Sequence, residues 1–263
     1  LMSEKSDVPL VTLVQDALAG AYLLSRDDGE VPRMLFDEAI EKIQARVKRA
    51  EKASMFSSSA HTKSLLKRAE KHGLYNPEDG IITGKVLMSL AFPENLYFDK
   101  KGVKIHDGIL LEGILNKKVI NGSGGIIATI AKQIDEQRAV DFMSDAQFVT
   151  YAYVDLYGLS VGSLDALVMT PEIEKQIIKI KEELEKAVEK IYRSPLRDDQ
   201  KENQIESEII NAETRMQNLV TSQLSDDNPL VILMKSGAKG SAFNMVQLGG
   251  YMGQQRVGGR RIP

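Results

Sequence analysis

Between residues 171 and 225 apolar side chains recur every three or four positions, a spacing that predicts two long helices. On the first, Ile173, Ile177, Ile180, Leu184, Ala187 or Val188, and Ile191 share one stripe. Thr170-Pro171 supplies its start signal and Ser194-Pro195 its stop. Ile205, Ile209, Ala212, Met216, Leu219 and Leu224 repeat the stripe on the return run. Two such stripes around a short breaker predict an antiparallel hairpin of about 20 residues per arm, roughly 30 Å long. Its Glu- and Lys-dense faces are read as solvated surface, without chemistry.

Upstream, a Pro-led extended stretch turns into a short apolar helix at about Gln15 to Leu24, with Asp16 near the positive end of its dipole. Residues 34 to 49 place Leu35, Phe36, Ala39, Ile40, Ile43 and Val47 at helical spacing, with Glu38 and Lys42 as an i,i+4 pair on the wet side. A polar region with Ser57, Ser58 and Ser59 leads into a helix from about Thr62 to Lys71, stopped by Gly73. Across residues 81 to 120 the period shortens. Leu96 to Asp99, Val103 to His106 and Ile109 to Leu115 read as short strands, and Asp107-Gly108 as a hairpin turn. A helix follows from Asp135 to Tyr157, with Val140, Met143, Ala146, Phe148 and Tyr151 facing inward and Gly158 as its end. Asn228-Pro229 and Leu230 to Met234 read as a short helix leading into a turn. The fold class is α+β, mainly α: a small β-containing region, a long helical hairpin and a Gly-rich C-terminal helix-turn segment.

Composition narrows the chemistry. The 263 residues are 43% hydrophobic and 27% charged, ordinary for a globular chain of one or two domains. A net charge of −3 gives no whole-chain attraction to nucleic acid, so such a contact requires a local basic patch. The absence of cysteine excludes disulfides and cysteine metal sites and fits an intracellular protein. No apolar run reaches the roughly 18 to 20 residues of a membrane span, and the start lacks a signal-peptide pattern. His61 and His72 lie three helical turns apart, with no acid or third histidine at ligand spacing, so no metal site is expected from them. Phe142, Phe148, Tyr151, Tyr153 and Tyr157 could form a base-stacking platform, but at helical spacing core packing is the stronger reading.

The densest chemistry lies between Met234 and Pro263. Gly237 and Gly240 flank Lys239, so the backbone there can take positive φ, and Ser241 is placed to cap a following helix. A lysine on such a turn suits a phosphate contact. The segment is not a P-loop: Lys239 precedes the second glycine and no strand leads into it. Gly124-Gly125 likewise lacks the third glycine and downstream acid of a dinucleotide fingerprint, and reads as a helix-start turn.

Ser236, Gly237, Ala238, Lys239, Gly240, Ser241, Asn244, Gln247, Gly253, Gln254, Gln255, Gly259, Arg260, Arg261 and Ile262 stand in one register. Together they resemble the end of the funnel region in the largest subunit of multisubunit DNA-directed RNA polymerases of the eukaryotic, archaeal and large-virus type. Gln15, Asp16, Leu18 and Gly20 are similar to the segment that follows the active-site loop in that family. Asp107-Gly108, Gly113, Lys117-Lys118 and Gly124-Gly125-Ile126-Ile127 resemble its pore signature, although Ala128 stands where many relatives carry His. Gly158 to Gly162 with Asp165 resembles a further turn of the family.

The resemblance implies a pore-like region over residues 1–132 and a funnel-like region over 133–263. It implies that Lys239, Arg260 and Arg261 contact triphosphate or RNA phosphates, the two arginines serving equally well for a partner-subunit acid. Ser241, Asn244, Gln247, Gln254 and Gln255 would support the bridge helix and trigger loop, or sit at a toxin-binding pocket. Gln15, Asp16, Gly124, Gly125, Asp165, Gly237 and Gly240 would be structural. Starting on Leu and ending on Arg-Ile-Pro, the chain reads as a piece of a longer polypeptide. The aspartates that hold Mg²⁺ in the family would lie outside it, so no catalytic residue is expected here and the piece alone should be inactive. Implied partners are the second-largest and other polymerase subunits, nucleoside triphosphates, DNA and RNA, and a transcript-cleavage factor. The implied location is the nucleus, a cytoplasmic virus factory or a virion. The rival readings are a helical scaffold or adaptor built on the 171–225 hairpin, and a viral decoy of the polymerase module.

Overall fold

The computed structural model of the protein describes residues 2–3, 8–26, 29–49, 58–166, 170–249, 252–258 and 260–262. Asp27, Asp28, Ser57 and Gly259, with the side chains of Val47, Ser58, Ser59, His61 and Arg260, lie outside the described residues. The chain forms two compact units: residues 1–159 with 235–239, and residues 160–234 with 240–263.

The first unit contains α1 (Asp16–Arg26), β1 (Glu30–Val31), α2 (Arg33–Arg49), α3 (Ser58–Lys71), β2 (Ile82–Thr83), α4 (Gly84–Ser89), β3 (Phe98–Lys100), β4 (Val103–His106), β5 (Ile109–Glu112), α5 (Lys117–Ile120), α6 (Ile126–Gln133) and α7 (Glu136–Tyr157). β1 pairs with β2, and β3-β4-β5 form an antiparallel meander. In the meander Phe98 sits opposite Ile105 and His106 opposite Ile109. The β4-β5 turn is made by Asp107 (φ 52°) and Gly108 (φ 68°), the double positive φ for which an Asp-Gly pair is suited.

A single core of Leu13, Leu18, Leu24, Phe36, Leu87, Phe98, Ile109, Ile127 and Phe142, among others, joins these elements. The Glu38–Lys42 pair forms at 2.6 Å, and Gly73 ends the α3 region at φ 73°. Helix α1 is buried nearly all round, and it packs on α7 with almost no room: a Cβ on Gly20 would lie 2.7 Å from Cβ of Thr150. The buried Ser25 hydroxyl donates to Ala21 O at 2.7 Å and accepts from Leu115 N at 2.8 Å, tying α1 to the segment after the meander.

Helix α7 is capped by Asp135, which accepts from Arg138 N at 2.7 Å, and ends at left-handed Gly158. Its buried face differs from the one read off the sequence. Ala139, Phe142, Met143, Asp145, Ala146, Val149, Thr150 and Ala152 are inside, whereas Val140 and Tyr151 are 39% and 42% exposed. The helix packs against α1, α2, α4 and α6 at once, so its burial is not one stripe and periodicity misjudged the rotation. Of the five aromatics Phe142 is core, stacked on Phe92 with centroids 5.4 Å apart, and Tyr151 and Tyr157 are exposed. Helix α7 packs on α1, and the first compact unit runs on to Leu159.

The second unit begins with a 3₁₀ turn (Ser163–Ala166), then α8 (Pro171–Tyr192) and α9 (Asp198–Thr221) form the hairpin. Thr170 caps α8 by accepting from Ile173 N. Ile173, Ile180, Ile205, Ile209, Ala212, Met216 and Val220 are buried, Val220 taking the place expected for Leu219. Helix α10 (Pro229–Ser236) leads to the Gly-Lys turn, and α11 (Ala242–Gly249) follows it, with Val246 packed on Ile173 and Val220. A two-residue ladder of β6 (Arg256–Val257) and β7 (Arg260–Arg261) lies at the end.

Candidate functional site

The turn after α10 takes the conformation its glycines permit. Gly237 and Gly240 have φ of 76° and 75°, values that side-chain-bearing residues adopt only at a cost. The buried Ser236 hydroxyl accepts from Ala238 N at 3.2 Å. Gly237 lies against α5, where a Cβ would come 2.6 Å from Cβ of Lys117, and Ala238 packs on the first unit's core. Residues 236–238 are therefore held, and they leave Lys239 exposed with no hydrogen bond or ion pair among the described residues. An ammonium group in that position is free to meet an anion.

In the second unit Ser241 caps α11, accepting from Asn244 N at 3.3 Å and donating to Asn244 Oδ1 at 2.8 Å. The glutamines expected to support the bridge helix and trigger loop make hydrogen bonds within the chain. Gln254 N donates to Glu213 Oε1 at 2.9 Å, and Gln254 Nε2 donates to Ile262 O at 2.8 Å. Gln255 Nε2 and Gln247 Nε2 both donate to Met252 O, at 3.2 and 3.4 Å. Gly253, at φ 71°, sits close against the Glu213 carboxylate. Glu213 is 9% exposed, and Arg256 faces it at 3.9 Å. Sequence reasoning missed this residue; the available signal was an acid beside Ala212 on the apolar stripe.

Arg261 finds its acid within the chain. Its Nε donates to Glu202 Oε1 at 2.6 Å, and its Nη2 donates to Glu202 Oε2 at 3.1 Å and to Tyr192 Oη at 2.7 Å. The hydrogen bond to Glu202, then that to Tyr192, raises its pKa, and the same contact lowers that of Glu202. These contacts tie β7 to the hairpin.

The residues expected to be structural divide between the units. In the first, Gln15 adopts φ 47° at the head of α1 and Asp16 occupies its first turn. Gly124 has φ 60°, and Gly125 is the N-cap of α6, where a Cβ would come 2.5 Å from Val119 O. In the second, Asp165 Oδ2 accepts from Gly162 N at 2.7 Å, and its carbonyl accepts from Asn228 Nδ2 at 2.9 Å.

Compared with known families, residues 1–166 match the family described as RNA polymerase Rpb1, domain 3. The chain belongs to the RNA polymerase largest-subunit family. Residues 172–263 of this largest-subunit chain match RNA polymerase Rpb1, domain 4. Over its full length it is 24% identical to a probable DNA-directed RNA polymerase II subunit RPB1 homolog of Invertebrate iridescent virus 6, and covers 26% of that protein. It is 25% identical over its full length to the DNA-directed RNA polymerase subunit Rpo1N of Halobacterium salinarum, covering 27%. The figures for the subunit beta′ of Streptococcus sanguinis are 26% and 23%. The chain thus spans about a quarter of the length of these relatives. Among the described residues of this largest-subunit chain no helix is long and apolar enough to cross a membrane.

Proposed function

We propose that this chain forms the pore and funnel wall of a DNA-directed RNA polymerase. In this reading it lines the secondary channel through which nucleoside triphosphates arrive, pyrophosphate leaves and backtracked RNA is extruded. The whole complex would transfer nucleotidyl groups: a 3′-hydroxyl attacks the α-phosphate of a nucleoside triphosphate and pyrophosphate departs. The observation that carries the reading is Lys239, an exposed cation with no hydrogen bond or ion pair among the described residues, on a turn whose preceding residues 236–238 are anchored. A fixed backbone with a mobile ammonium suits transient contact with successive phosphates, because the charge attracts them without a rigid bidentate grip.

The 22- and 24-residue arms of the hairpin add a hydrated rim at which a transcript-cleavage factor would dock. The second-largest subunit, other polymerase subunits, DNA and RNA are the remaining partners of the reading. Nuclear, virus-factory or virion residence would follow the source. The anchoring of Ala238 on the first unit and of Gln254 on Glu213 favours this reading over a scaffold carrying a loose glycine-rich tail. A pair of Mg²⁺ ions, which would stabilise the attacking and leaving oxygens, does not fit the residues present. Magnesium takes oxygen ligands, and the one ligand cluster among the described residues is His72, His106 and Asp107. The chain alone is accordingly proposed to be inactive.

Lys239→Ala in the assembled polymerase tests the assignment. A lost exposed charge-assisted contact of about 1 kcal/mol predicts a rise of roughly fivefold in the nucleotide concentration needed for half-maximal elongation, with assembly unchanged. Elongation rates that match the parent enzyme at every nucleotide concentration would remove Lys239 from the channel.

A further inference from the structure

We infer that His72, His106 and Asp107, in the first unit, form a binding site for a borderline divalent transition ion of the zinc class. His72 directly follows the last turn of α3, where His72 N donates to Arg68 O at 3.2 Å. His106 ends β4, and Asp107 is the first residue of the β4-β5 turn, its φ of 52° set by the hairpin. The tight turn thus carries two ligands to the end of a helix that supplies the third.

The distances suit coordination. Asp107 Oδ2 is 3.3 Å from His72 Nε2 and 3.5 Å from His106 Nδ1. A tetrahedral ion with bonds of about 2.0–2.1 Å separates its ligand atoms by about 3.3 Å, so two of the three edges are already formed. The third, between the imidazoles, is no longer than 4.8 Å and closes by rotation of the His106 side chain, which is 48% exposed. The rings now meet edge to face with centroids 5.4 Å apart. Two imidazoles and one carboxylate favour zinc, cobalt, nickel or copper over magnesium or calcium, which prefer all-oxygen shells. Three protein ligands leave one position for water.

A competing cation is already in place. Lys71 Nζ lies 3.0 Å from Asp107 Oδ2, and its hydrogen bond, ahead of other causes, holds that carboxyl below its ordinary range. The Lys71 side chain is 68% exposed, so an incoming ion displaces it into water. Bound metal then clips the end of α3 to the meander turn, supplementing the Arg68 Nη1 hydrogen bond to Asp107 O.

Calorimetric titration of the 263-residue chain with zinc chloride, and visible absorption with cobalt(II), test the inference. Expected are one zinc per chain at micromolar dissociation constant, a tetrahedral cobalt spectrum and no response to magnesium. His106→Ala, a change at a half-exposed position, should weaken zinc by more than about tenfold with the far-ultraviolet circular dichroism unchanged. Lys71→Met should tighten binding by removing the competitor. Zinc binding that needs millimolar metal, or that is indifferent to both His72→Ala and His106→Ala, would overturn the site.

Discussion

Replacing Arg46 by Met removes the cation that keeps a buried carboxylate company, and the consequence can be worked from the structure. Arg46 reaches from α2 to α7, where its Nε and Nη2 donate to Asp145 at 2.7 and 2.8 Å and its Nη1 donates to Asp141 at 2.9 Å. The Asp145 side chain is only 11% exposed. Burial pushes Asp145 up to about 6, against the pull of Arg46. Burial also works against the Arg46 charge, but the hydrogen bonds and fields of Asp145 and Asp141 outweigh it and raise its pKa. Breaking one side of such a pair costs about 3–5 kcal/mol, because a charge is left buried alone.

The pH dependence has a definite sign. An unfolded aspartate titrates at about 3.9, so between there and about 6 the folded state binds more protons than the unfolded one. The parent protein therefore loses stability from this group as pH rises through that window, by about 3 kcal/mol in all. In Arg46→Met the Asp145 pKa climbs further, the window extends upward, and the deficit relative to parent should be largest above neutrality and shrink on acidification. Urea unfolding followed by far-ultraviolet circular dichroism, at about pH 5 and about pH 8, reads both effects. A deficit below about 1 kcal/mol at the higher pH, or one equal at both, would refute the reasoning. When both proteins carry Asp145→Asn, the deficit caused by Arg46→Met should lose the pH dependence that Asp145 contributes.

Gly20→Ala should lower the melting temperature even though alanine is the better helix former by about 1 kcal/mol, because its Cβ meets the Thr150 backbone and side chain within 2.8 Å. An overpacking cost of about 1–3 kcal/mol exceeds that gain, and a melting temperature at or above that of the parent contradicts the close α1–α7 packing. Gly237→Ala and Gly240→Ala share the same left-handed strain, about 1–2 kcal/mol, but only the first also collides with Lys117, since nothing lies within 4 Å of Gly240. Urea midpoints should rank Gly240→Ala above Gly237→Ala; the reverse order would mean that residue 237 does not rest on α5.

What the sequence determined by itself is local: the 171–225 hairpin, the cap at Thr170, the Asp107-Gly108 turn, the left-handed glycines around Lys239 and the family register of residues 236–262. Each follows from side chains a few positions apart, whose geometry is set by the helix or turn that they occupy. Tertiary structure alone decided the partners that lie far along the chain. Arg46 meets an acid 99 residues away, Gln254 meets Glu213, Arg261 meets Glu202, and His72 at the end of α3 meets His106 at the end of β4. The same holds for α7, where Val140 and Tyr151 face water because four neighbouring helices, and not a periodic stripe, choose its buried sides. Periodicity is blind to these pairings, since loops of any length bring the groups together only when the core closes and excludes water from around them.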